Sequence, residues 1–285
     1  MIERLLNSMC CPDCYGSFKY IDNYLICLGC QKKYPIKDGS IFFIDDSQQH
    51  NYSKTDDSLI SKIKEYFKRY NKLYNLLVPI AGALFVGEKR GKDILTNLPP
   101  EALIINLGSG PKIISDKIVN IDYFHYKGVL MVADATRLPF KDFSVDGVIS
   151  ESVLEHVKQP WIVTKEIERI LKKGGWLYAS VPFVDPYHSS PDDYYRWTSS
   201  GLRQMLSGFN EKEMKIGWGP TSCLISVLAH WLGIVFSFGN KIIYQIITLF
   251  FLCLFSPLKL LDFIFKFYKF STNLSVGLYF LGTKK

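Results

Sequence analysis

Four cysteines near the amino terminus are the residues whose spacing most directly indicates chemistry. They form two Cys-x-x-Cys pairs, Cys11 with Cys14 and Cys27 with Cys30, separated by twelve residues. Each pair makes a tight turn whose two thiolates face one point, so two pairs supply four soft ligands in a tetrahedron. The short segment cannot build a hydrophobic core of its own, and a bound metal would replace that core. The spacing therefore predicts a structural Zn²⁺ site with no open position for catalysis.

Other roles for the cysteines are less favoured. Disulfides need an oxidising compartment, and the first residues show no signal-peptide architecture, so we expect reduced thiols. Cys10 directly precedes Cys11 and could compete as a ligand, although the Cys-Pro-x-Cys-x-Gly arrangement favours Cys11. Cys223 and Cys253 lie in apolar stretches, and we expect both to be buried thiols.

A second group of candidate residues follows three short apolar segments. Gly108 and Gly110 come directly after the first segment, Asp122 ends the second, and Asp134 follows the third. If the segments are parallel strands, these residues share the carboxyl edge of a sheet, where open α/β sheets bind their ligands. A carboxylate there can accept hydrogen bonds from both hydroxyls of a ribose. The full G-x-G-x-x-G pattern is absent, so an ordinary glycine turn is the alternative.

The elements that position these residues alternate between strands and helices, which predicts a mostly parallel sheet covered on both faces. We expect an amphipathic helix over 58–77, a second helix near 89–97, and a very short crossover after Gly110. The predicted strands of the sheet cover 102–107, 118–122, 130–133, 145–150 and 176–181, with a helix over 161–171 and an antiparallel pair at 214–217 and 276–282.

Three ordered segments carry a family resemblance, namely Asp134–Asp146, Val153–Val157 and Glu166–Gly175. They resemble class I S-adenosylmethionine-dependent methyltransferases, and within these the group called methyltransferase type 11. The resemblance implies a Rossmann-like α/β sheet of seven strands and S-adenosyl-L-methionine as cofactor. The cysteine-containing segment is similar to small zinc ribbons that accompany or activate several methyltransferases.

The resemblance also implies a cofactor site. Gly108 and Gly110 would pack beneath the methionine part of the cofactor, Asp122 would bind the ribose, and Asp134 would contact the adenine. The family has an acidic residue where this chain has Asn106, whose amide keeps an acceptor but loses charge attraction for the ammonium group. The implied cofactor-binding residues are Asn106, Gly108, Ser109, Gly110, Asp122, Asp134, Ala135, Ser150 and Glu151.

The segment 182–198 is rich in groups that suit a polar substrate. It resembles a loop of bacterial methyltransferases found with surface-polysaccharide assembly, and it contains the predicted substrate-binding residues Tyr187, Asp193, Tyr195 and Arg196. If the acceptor is a hydroxyl, His188 is the candidate general base, because its ordinary pKa suits that role. The alternative is a structural Asp193–Arg196 ion pair beside a plain loop histidine. We expect His156 to be a packing residue.

A mostly apolar stretch near the carboxyl terminus interrupts the sheet, because strands are predicted on both sides of it. It could form a membrane hairpin, a patch lying in the membrane interface, or a soluble lid or dimer interface. Aromatic residues beside lysines favour the interface, whereas His230 and Gln245 argue against deep burial in lipid.

The predicted segments are a zinc-ribbon module at 1–45, a linker and helical extension at 46–100, the methyltransferase core at 101–220, a hydrophobic helical insert at 221–270 and the final strand at 271–285.

The net charge of +7 permits an anionic membrane or RNA as a partner, although a solvated surface is the favoured explanation. The lysines are scattered, so nucleic acid is the less favoured partner. We expect a cytoplasmic enzyme at the inner membrane face that methylates a sugar, a lipid-linked molecule or another small acceptor. The alternatives are an rRNA or tRNA methyltransferase and a non-catalytic methyltransferase-like scaffold.

Overall fold

The computed structural model describes residues 2–44, 80, 82–97, 99, 101–111, 113–115, 117–188 and 192–285. The predicted helix over 58–77 lies outside the described residues. The predicted helix near 89–97 is a 3-10 helix, Gly91–Asn97. After Gly110 the described residues form only turns before the next strand, as the sequence predicted.

The described strands form one continuous sheet. Its members are β1 (Phe18–Ile21), β2 (Tyr24–Cys27), β3 (Lys33–Lys37), β4 (Ser40–Phe42), β5 (Ile104–Leu107), β6 (Val119–Asp122), β7 (Met131–Val132), β8 (Val145–Glu151), β9 (Leu171–Pro182), β10 (Phe209–Trp218) and β11 (Gly277–Lys284). They lie side by side in the order β1-β2-β3-β4-β7-β6-β5-β8-β9-β11-β10.

The last seven strands in that order form the predicted α/β sheet. Strands β7, β6, β5, β8 and β9 are parallel, and β11 is antiparallel to both β9 and β10. All four residues of β5 are buried, as expected for a parallel strand covered on both faces. The Rossmann-like fold class is therefore confirmed, with its antiparallel pair at one edge.

The helices pack on this sheet or form the insert. They are α1 (Ile2–Leu5), α2 (Pro160–Ile170), α3 (Ser199–Met205), α4 (Pro220–Ser237), α5 (Lys241–Leu254) and α6 (Asp262–Phe265), with further 3-10 turns at Leu6–Ser8, Leu154–His156, Ser256–Leu261 and Lys269–Asn273. Helix α2 buries Val163, Ile167 and Ile170 at helical spacing, which fixes it against the sheet between β8 and β9.

The cysteine-containing segment joins the main sheet directly, which the sequence did not predict. Strand β4 pairs in parallel with β7, with Ile41 opposite Met131 and Phe42 opposite Val132. The β3–β4 hairpin turns on Asp38 and Gly39, both with positive φ, which matches the twist of the flanking strands. Residues of this segment and of the main sheet belong to one buried hydrophobic cluster. The small module and the larger domain therefore share a core.

The hydrophobic insert is a helical hairpin that is closed by buried hydrogen bonds within it and joined by one lysine to the segment before β5. The buried Asp262 carboxylate accepts hydrogen bonds from the backbone N–H groups of Thr221 (2.7 Å) and Ser222 (2.9 Å), which caps the start of α4. The Lys259 ammonium donates to the carbonyls of Ile80 (2.6 Å) and Gly82 (2.8 Å). These contacts hold the base of the hairpin in a defined position.

The outer surface of the insert is apolar. Helix α4 is the one described helix long and apolar enough to cross a membrane, and α5 reaches that length only as a bent pair with the residues after it. Cys223 is buried as predicted, but Cys253 is exposed, so that prediction was wrong. Helix α5 packs on α4 along one face only, and Cys253 lies on the other.

Candidate active site

The glycine turn after β5 has the backbone conformation that requires glycine. Gly108 has a φ of +66° and Gly110 a φ of +57°, both in the left-handed region. A Cβ at Gly108 would collide with Val153, whereas a Cβ at Gly110 would meet no described atom within 4 Å. The turn therefore packs tightly on one side and presents open backbone on the other.

The two predicted carboxylates lie at the ends of neighbouring strands. Asp122 ends β6, and its two oxygens accept hydrogen bonds from the N–H groups of Gly110 (2.7 Å) and Phe124 (2.9 Å). Burial raises the pKa of the Asp122 carboxyl. Asp134 follows β7 and accepts from the backbone N–H and the hydroxyl of Thr136, both at 2.8 Å. Both acids therefore lie at the carboxyl edge of the sheet, on adjacent strands, beside the glycine turn.

The remaining predicted cofactor residues lie along the same edge. Asn106 is buried in β5 and its amide donates to Asn120 Oδ1 at 2.9 Å, while Glu151 accepts from the N–H of Gly91 at 2.9 Å. Ser109 is buried within the turn and Ala135 is half-buried beside Asp134. The hydroxyl of Ser150 is buried and has no hydrogen-bond partner among the residues that the structure describes. An unpartnered hydroxyl, an open turn and two carboxylates fit a nucleoside cofactor at this edge.

His188 lies among acidic groups above the same edge. Its Nδ1 is 3.1 Å from Asp185 Oδ2 and 3.6 Å from Asp193 Oδ2, and its Nε2 is 4.0 Å from Glu155 Oε1. The hydrogen bond to Asp185 raises the pKa of His188. The ring of His156 lies edge-on to that of His188, with 5.3 Å between the centroids.

Asp193 and Arg196 form the structural ion pair that was the alternative to a substrate-binding role. The two guanidinium nitrogens lie 2.5 and 2.6 Å from the two carboxylate oxygens, and the Asp193 side chain is only 1% exposed. Arg196 also donates to the carbonyls of Asp185 (3.0 Å) and Pro186 (2.9 Å). The pair thus fixes the loop that carries His188, and a role for it in binding substrate stays a prediction.

The predicted tyrosines occupy different positions. Tyr187 is 70% exposed at the loop surface, whereas the hydroxyl of Tyr195 donates to the carbonyl of Lys158 at 2.9 Å.

Sequence reasoning missed Glu155 as a site residue and treated His156 as a packing residue. The signal that could have found them is the Glu-His pair immediately after β8, because that position leads onto the ligand-binding edge.

The four predicted cysteines converge at the other end of the described chain. Cys11 Sγ lies 3.8 Å from Cys30 Sγ, and Cys14 Sγ lies 3.3 Å from Cys27 Sγ, with all four sulfurs within 4.8 Å of one another. Cys10 lies outside this cluster, and burial raises the pKa of its thiol to about 11. Four converging thiols are the donor set of a closed tetrahedral Zn²⁺ site, so these residues fit the predicted metal.

Part of the chain matches a known protein family. Residues 114–179 match the family model described as a methyltransferase domain. An uncharacterized methyltransferase of Mycolicibacterium gilvum is 46% identical over 87 residues, which cover 30% of this chain and 31% of that protein. Another from Mycolicibacterium vanbaalenii is 46% identical over 48 residues, or 17% of this chain and 19% of that protein. The chain thus spans less than a third of the length of these curated relatives.

Solved structures of similar outline share little sequence with this chain. The Burkholderia thailandensis 1,6-didemethyltoxoflavin-N1-methyltransferase, bound to 1,6-didemethyltoxoflavin and S-adenosylhomocysteine, has a TM-score of 0.46 and 12% identity, over 94% of this chain and 99% of that one. The [4+2]-cyclase SpnF has a TM-score of 0.43 and 15% identity, over 75% and 94% of the two chains. The matched segment and the observed strand order together support a class I methyltransferase fold for this chain.

Proposed function

We propose that this protein transfers a methyl group from S-adenosylmethionine to a hydroxyl of a sugar or lipid-linked acceptor at a membrane surface. The observation that carries the proposal is the pair of carboxylates at the ends of β6 and β7, Asp122 and Asp134, beside the open glycine turn. The match of residues 114–179 to a methyltransferase domain supports the same assignment. The names of the curated relatives support methyl transfer as the reaction and do not identify a methyl acceptor.

In this proposal the carboxyl edge of the sheet binds the cofactor. Asp122, already held by the N–H groups of Gly110 and Phe124, is oriented to accept hydrogen bonds from ribose hydroxyls. When bound, S-adenosylmethionine supplies a methyl group on a positively charged sulfur, which already contains its leaving group. The protein then has to align the acceptor with that methyl group and remove the proton of the acceptor hydroxyl.

His188 is the proposed base for that proton. Asp185 engages its Nδ1, so Nε2 is the nitrogen that can accept the proton, and the carboxylate stabilises the imidazolium that results. The buried Asp193–Arg196 pair fixes the loop, since Asp193 accepts the backbone N–H of His188 at 2.9 Å. This arrangement of a positioned histidine and an orienting carboxylate supports an oxygen acceptor.

The exposed surface of the insert supports a membrane location. Phe238, at the tip of the hairpin, is 91% exposed, and Trp231, Ile234 and Phe267 are exposed as well. Lys266 lies over the ring of Phe267 at 5.1 Å, so cationic groups flank this apolar surface. An apolar helical face with aromatic residues and lysines suits the interface of an anionic bilayer. The insert would then lie in the interface and bring the sheet edge to lipid-linked acceptors.

Calorimetric titration with S-adenosylhomocysteine tests the cofactor site. We expect binding by the wild type and a loss of about 10–100-fold in affinity for Asp122→Asn, because a charged acceptor is lost. Asp142→Asn is the matched control, since Asp142 is a surface residue in the turn before β8 and pairs with Arg169. Since only the ionised Asp122 accepts from both hydroxyls, affinity falls as the pH drops through its raised pKa. No heat from the folded wild type would favour the non-catalytic scaffold.

Co-sedimentation with vesicles tests the membrane location. We expect the protein to bind vesicles with anionic lipid, and Phe238→Ser with Ile234→Ser to weaken that binding several-fold. Leu28→Ser is the control, because Leu28 is an exposed apolar residue of the cysteine segment. Binding to purified rRNA together with indifference to vesicles would contradict the proposal and favour the RNA methyltransferase.

A further inference from the structure

Three side chains from two parts of the chain meet beside the proposed cofactor site. Glu155 and His156 lie in the 3-10 turn after β8, and His188 lies in the loop after β9. One carboxylate oxygen and one ring nitrogen from each histidine lie within 4.8 Å of one another. An ion held about 2 Å from each ligand atom places those atoms roughly 3–4 Å apart, so a small rotation of a ring closes this cluster around a cation.

The Glu155 carboxylate is the strongest sign of a missing partner. Its side chain is 0% exposed, and neither oxygen has a hydrogen-bond partner within the described part of the chain. The nearest basic group is His188 Nε2, at 4.0 Å, which is beyond hydrogen-bond distance. A buried carboxylate without such a partner is costly, and buried charges are normally paired or bound to metals.

The two histidines are oriented as metal-binding histidines usually are. His156 Nδ1 lies 2.5 Å from the carbonyl oxygen of Asp192, and His188 Nδ1 lies 3.1 Å from the carboxylate of Asp185. A histidine that donates from Nδ1 to a carbonyl or a carboxylate has Nε2 as its free lone pair, and this arrangement is typical of metal ligands. Two such rings lie beside one buried carboxylate, which makes three candidate donors.

We propose that Glu155, His156 and His188 bind a divalent first-row transition-metal cation. Two imidazoles and one carboxylate suit Zn²⁺, Fe²⁺, Co²⁺ or Mn²⁺ better than Mg²⁺ or Ca²⁺, which prefer oxygen ligands. Three protein ligands leave coordination positions open, and His188 is the partly exposed member that faces solvent. This site is separate from the four-cysteine cluster, which has no open position.

The role of the cation rests on the proposed function, although its binding does not. A cation at this position would bind the acceptor oxygen in an open coordination position and lower the pKa of its hydroxyl, whose proton would pass to bulk water as the methyl group moves to the oxygen and S-adenosylhomocysteine leaves. His188 would then be a ligand and no longer the base. The proposal narrows the acceptor to molecules with an oxygen donor, such as a sugar hydroxyl.

Cobalt titration of the zinc-loaded protein tests the site. Co²⁺ lies below Zn²⁺ in the order of affinities, so zinc stays in the thiolate cluster and cobalt reports on the second site. We expect one additional equivalent of Co²⁺ in calorimetry, with visible absorption that lacks thiolate-to-cobalt charge transfer. Glu155→Gln and His188→Ala should each weaken this binding by more than about 100-fold, since each removes a direct ligand.

Matched variants keep the test decisive. His125→Ala removes an exposed histidine outside the cluster and should bind Co²⁺ as the wild type does. Glu155→Gln conserves volume and removes a buried charge, so the zinc-loaded variant should fold at least as well as the zinc-loaded wild type before cobalt is added. A wild type without a second equivalent, or a His188→Ala variant that binds Co²⁺ normally, would overturn the proposal.

The same samples separate this proposal from the function on which its role rests. S-adenosylhomocysteine binding should persist in Glu155→Gln, because the Glu155 side chain makes no hydrogen bond to a predicted cofactor residue in the described part of the chain. If the wild type binds cobalt but not S-adenosylhomocysteine, the metal site stands and the proposed function fails. If it binds S-adenosylhomocysteine but no second metal, the methyltransferase proposal stands with His188 as its base.

Discussion

The four-cysteine cluster and the Glu155–His156–His188 cluster are built in opposite ways. The cysteines come from two local turns within twenty residues, and their four sulfurs make a complete donor set. The second cluster combines a turn after β8 with a loop after β9, and its carboxylate is fully buried while one histidine is partly exposed. The first arrangement suits a metal that stabilises a fold, and the second suits a metal that meets a substrate.

The two clusters depend on different parts of the fold. The cysteine turns are positioned by short hairpins, but these hairpins share a hydrophobic core with the main sheet through β4. The second cluster exists only because β8 and β9 are adjacent and parallel and so end at the same edge. Damage to the first should therefore lower stability, whereas damage to the second should alter binding.

The largest expected effect is the loss of a cysteine ligand. Cys27→Ser should abolish zinc binding and destabilise the protein by about 5 kcal/mol, because the metal cross-links the two cysteine turns and its binding free energy contributes directly to folding. A loss of that size lowers the melting temperature by roughly 10 °C or more in a domain of this length. Elemental analysis and calorimetric melting measure both effects.

Cys10→Ser is the control for that experiment, because Cys10 is adjacent in sequence and buried but lies outside the cluster. It should keep a full equivalent of zinc. Equal zinc loss in both variants, or a wild type with less than half an equivalent, would contradict the assignment of Cys11, Cys14, Cys27 and Cys30 as the ligands.

The second-largest expected effect concerns the Asp193–Arg196 ion pair, which fixes the loop that carries His188. Asp193→Asn should destabilise the protein by about 3–5 kcal/mol, because it leaves the Arg196 guanidinium without its buried partner. Burial raises the pKa of the Asp193 carboxyl, but Arg196 outweighs it and the net direction is down. The stabilisation is therefore complete above the ordinary aspartate pKa and is lost as the pH falls through the lowered value.

Chemical unfolding of wild type and Asp193→Asn across acidic pH measures this. The two stability curves should converge in strong acid and separate towards neutrality. Asp185→Asn is the comparison, since Asp185 is more exposed and should change stability much less. Parallel curves at all pH values would show that the pair is not the source of the effect.

Features that depend on a short stretch of sequence could be predicted, whereas features that depend on how distant strands pair could not. The convergence of the four cysteines, the glycine turn and the positions of both carboxylates were predictable, because each depends on short spacing or on the end of one apolar strand; their binding roles stay predictions. The pairing of β4 with β7 was not, since a strand of three residues contains no signal for its neighbour. Glu155 was missed because a glutamate on a short turn is normally exposed, and only the assembled edge buries it.

A smaller effect on Co²⁺ affinity is expected from the residue that orients the His188 ring. Asp185→Asn should reduce Co²⁺ affinity by about 10–100-fold, because the carboxylate that fixes the His188 ring is replaced by a neutral amide. Calorimetry on the zinc-loaded protein gives the affinity. Asp192→Asn is the control, because it is the backbone carbonyl of Asp192, not its side chain, that contacts His156. Equal affinities for wild type and Asp185→Asn would remove Asp185 from the site.

The smallest expected effect is the loss of a side chain that contacts a cysteine ligand. The Tyr34 hydroxyl lies 3.1 Å from Cys11 Sγ and donates to Asp13 at 2.9 Å. Tyr34→Phe should cost only about 1 kcal/mol of stability, because one hydrogen bond is lost while four thiolates still hold the metal and Lys32 still binds Asp13 at 2.7 Å. Competition with a zinc-binding dye and thermal melting provide the measurement. If this variant lost zinc as readily as Cys27→Ser, the cluster would depend on its surroundings as the open site does, and the contrast between a closed and an open site would fail.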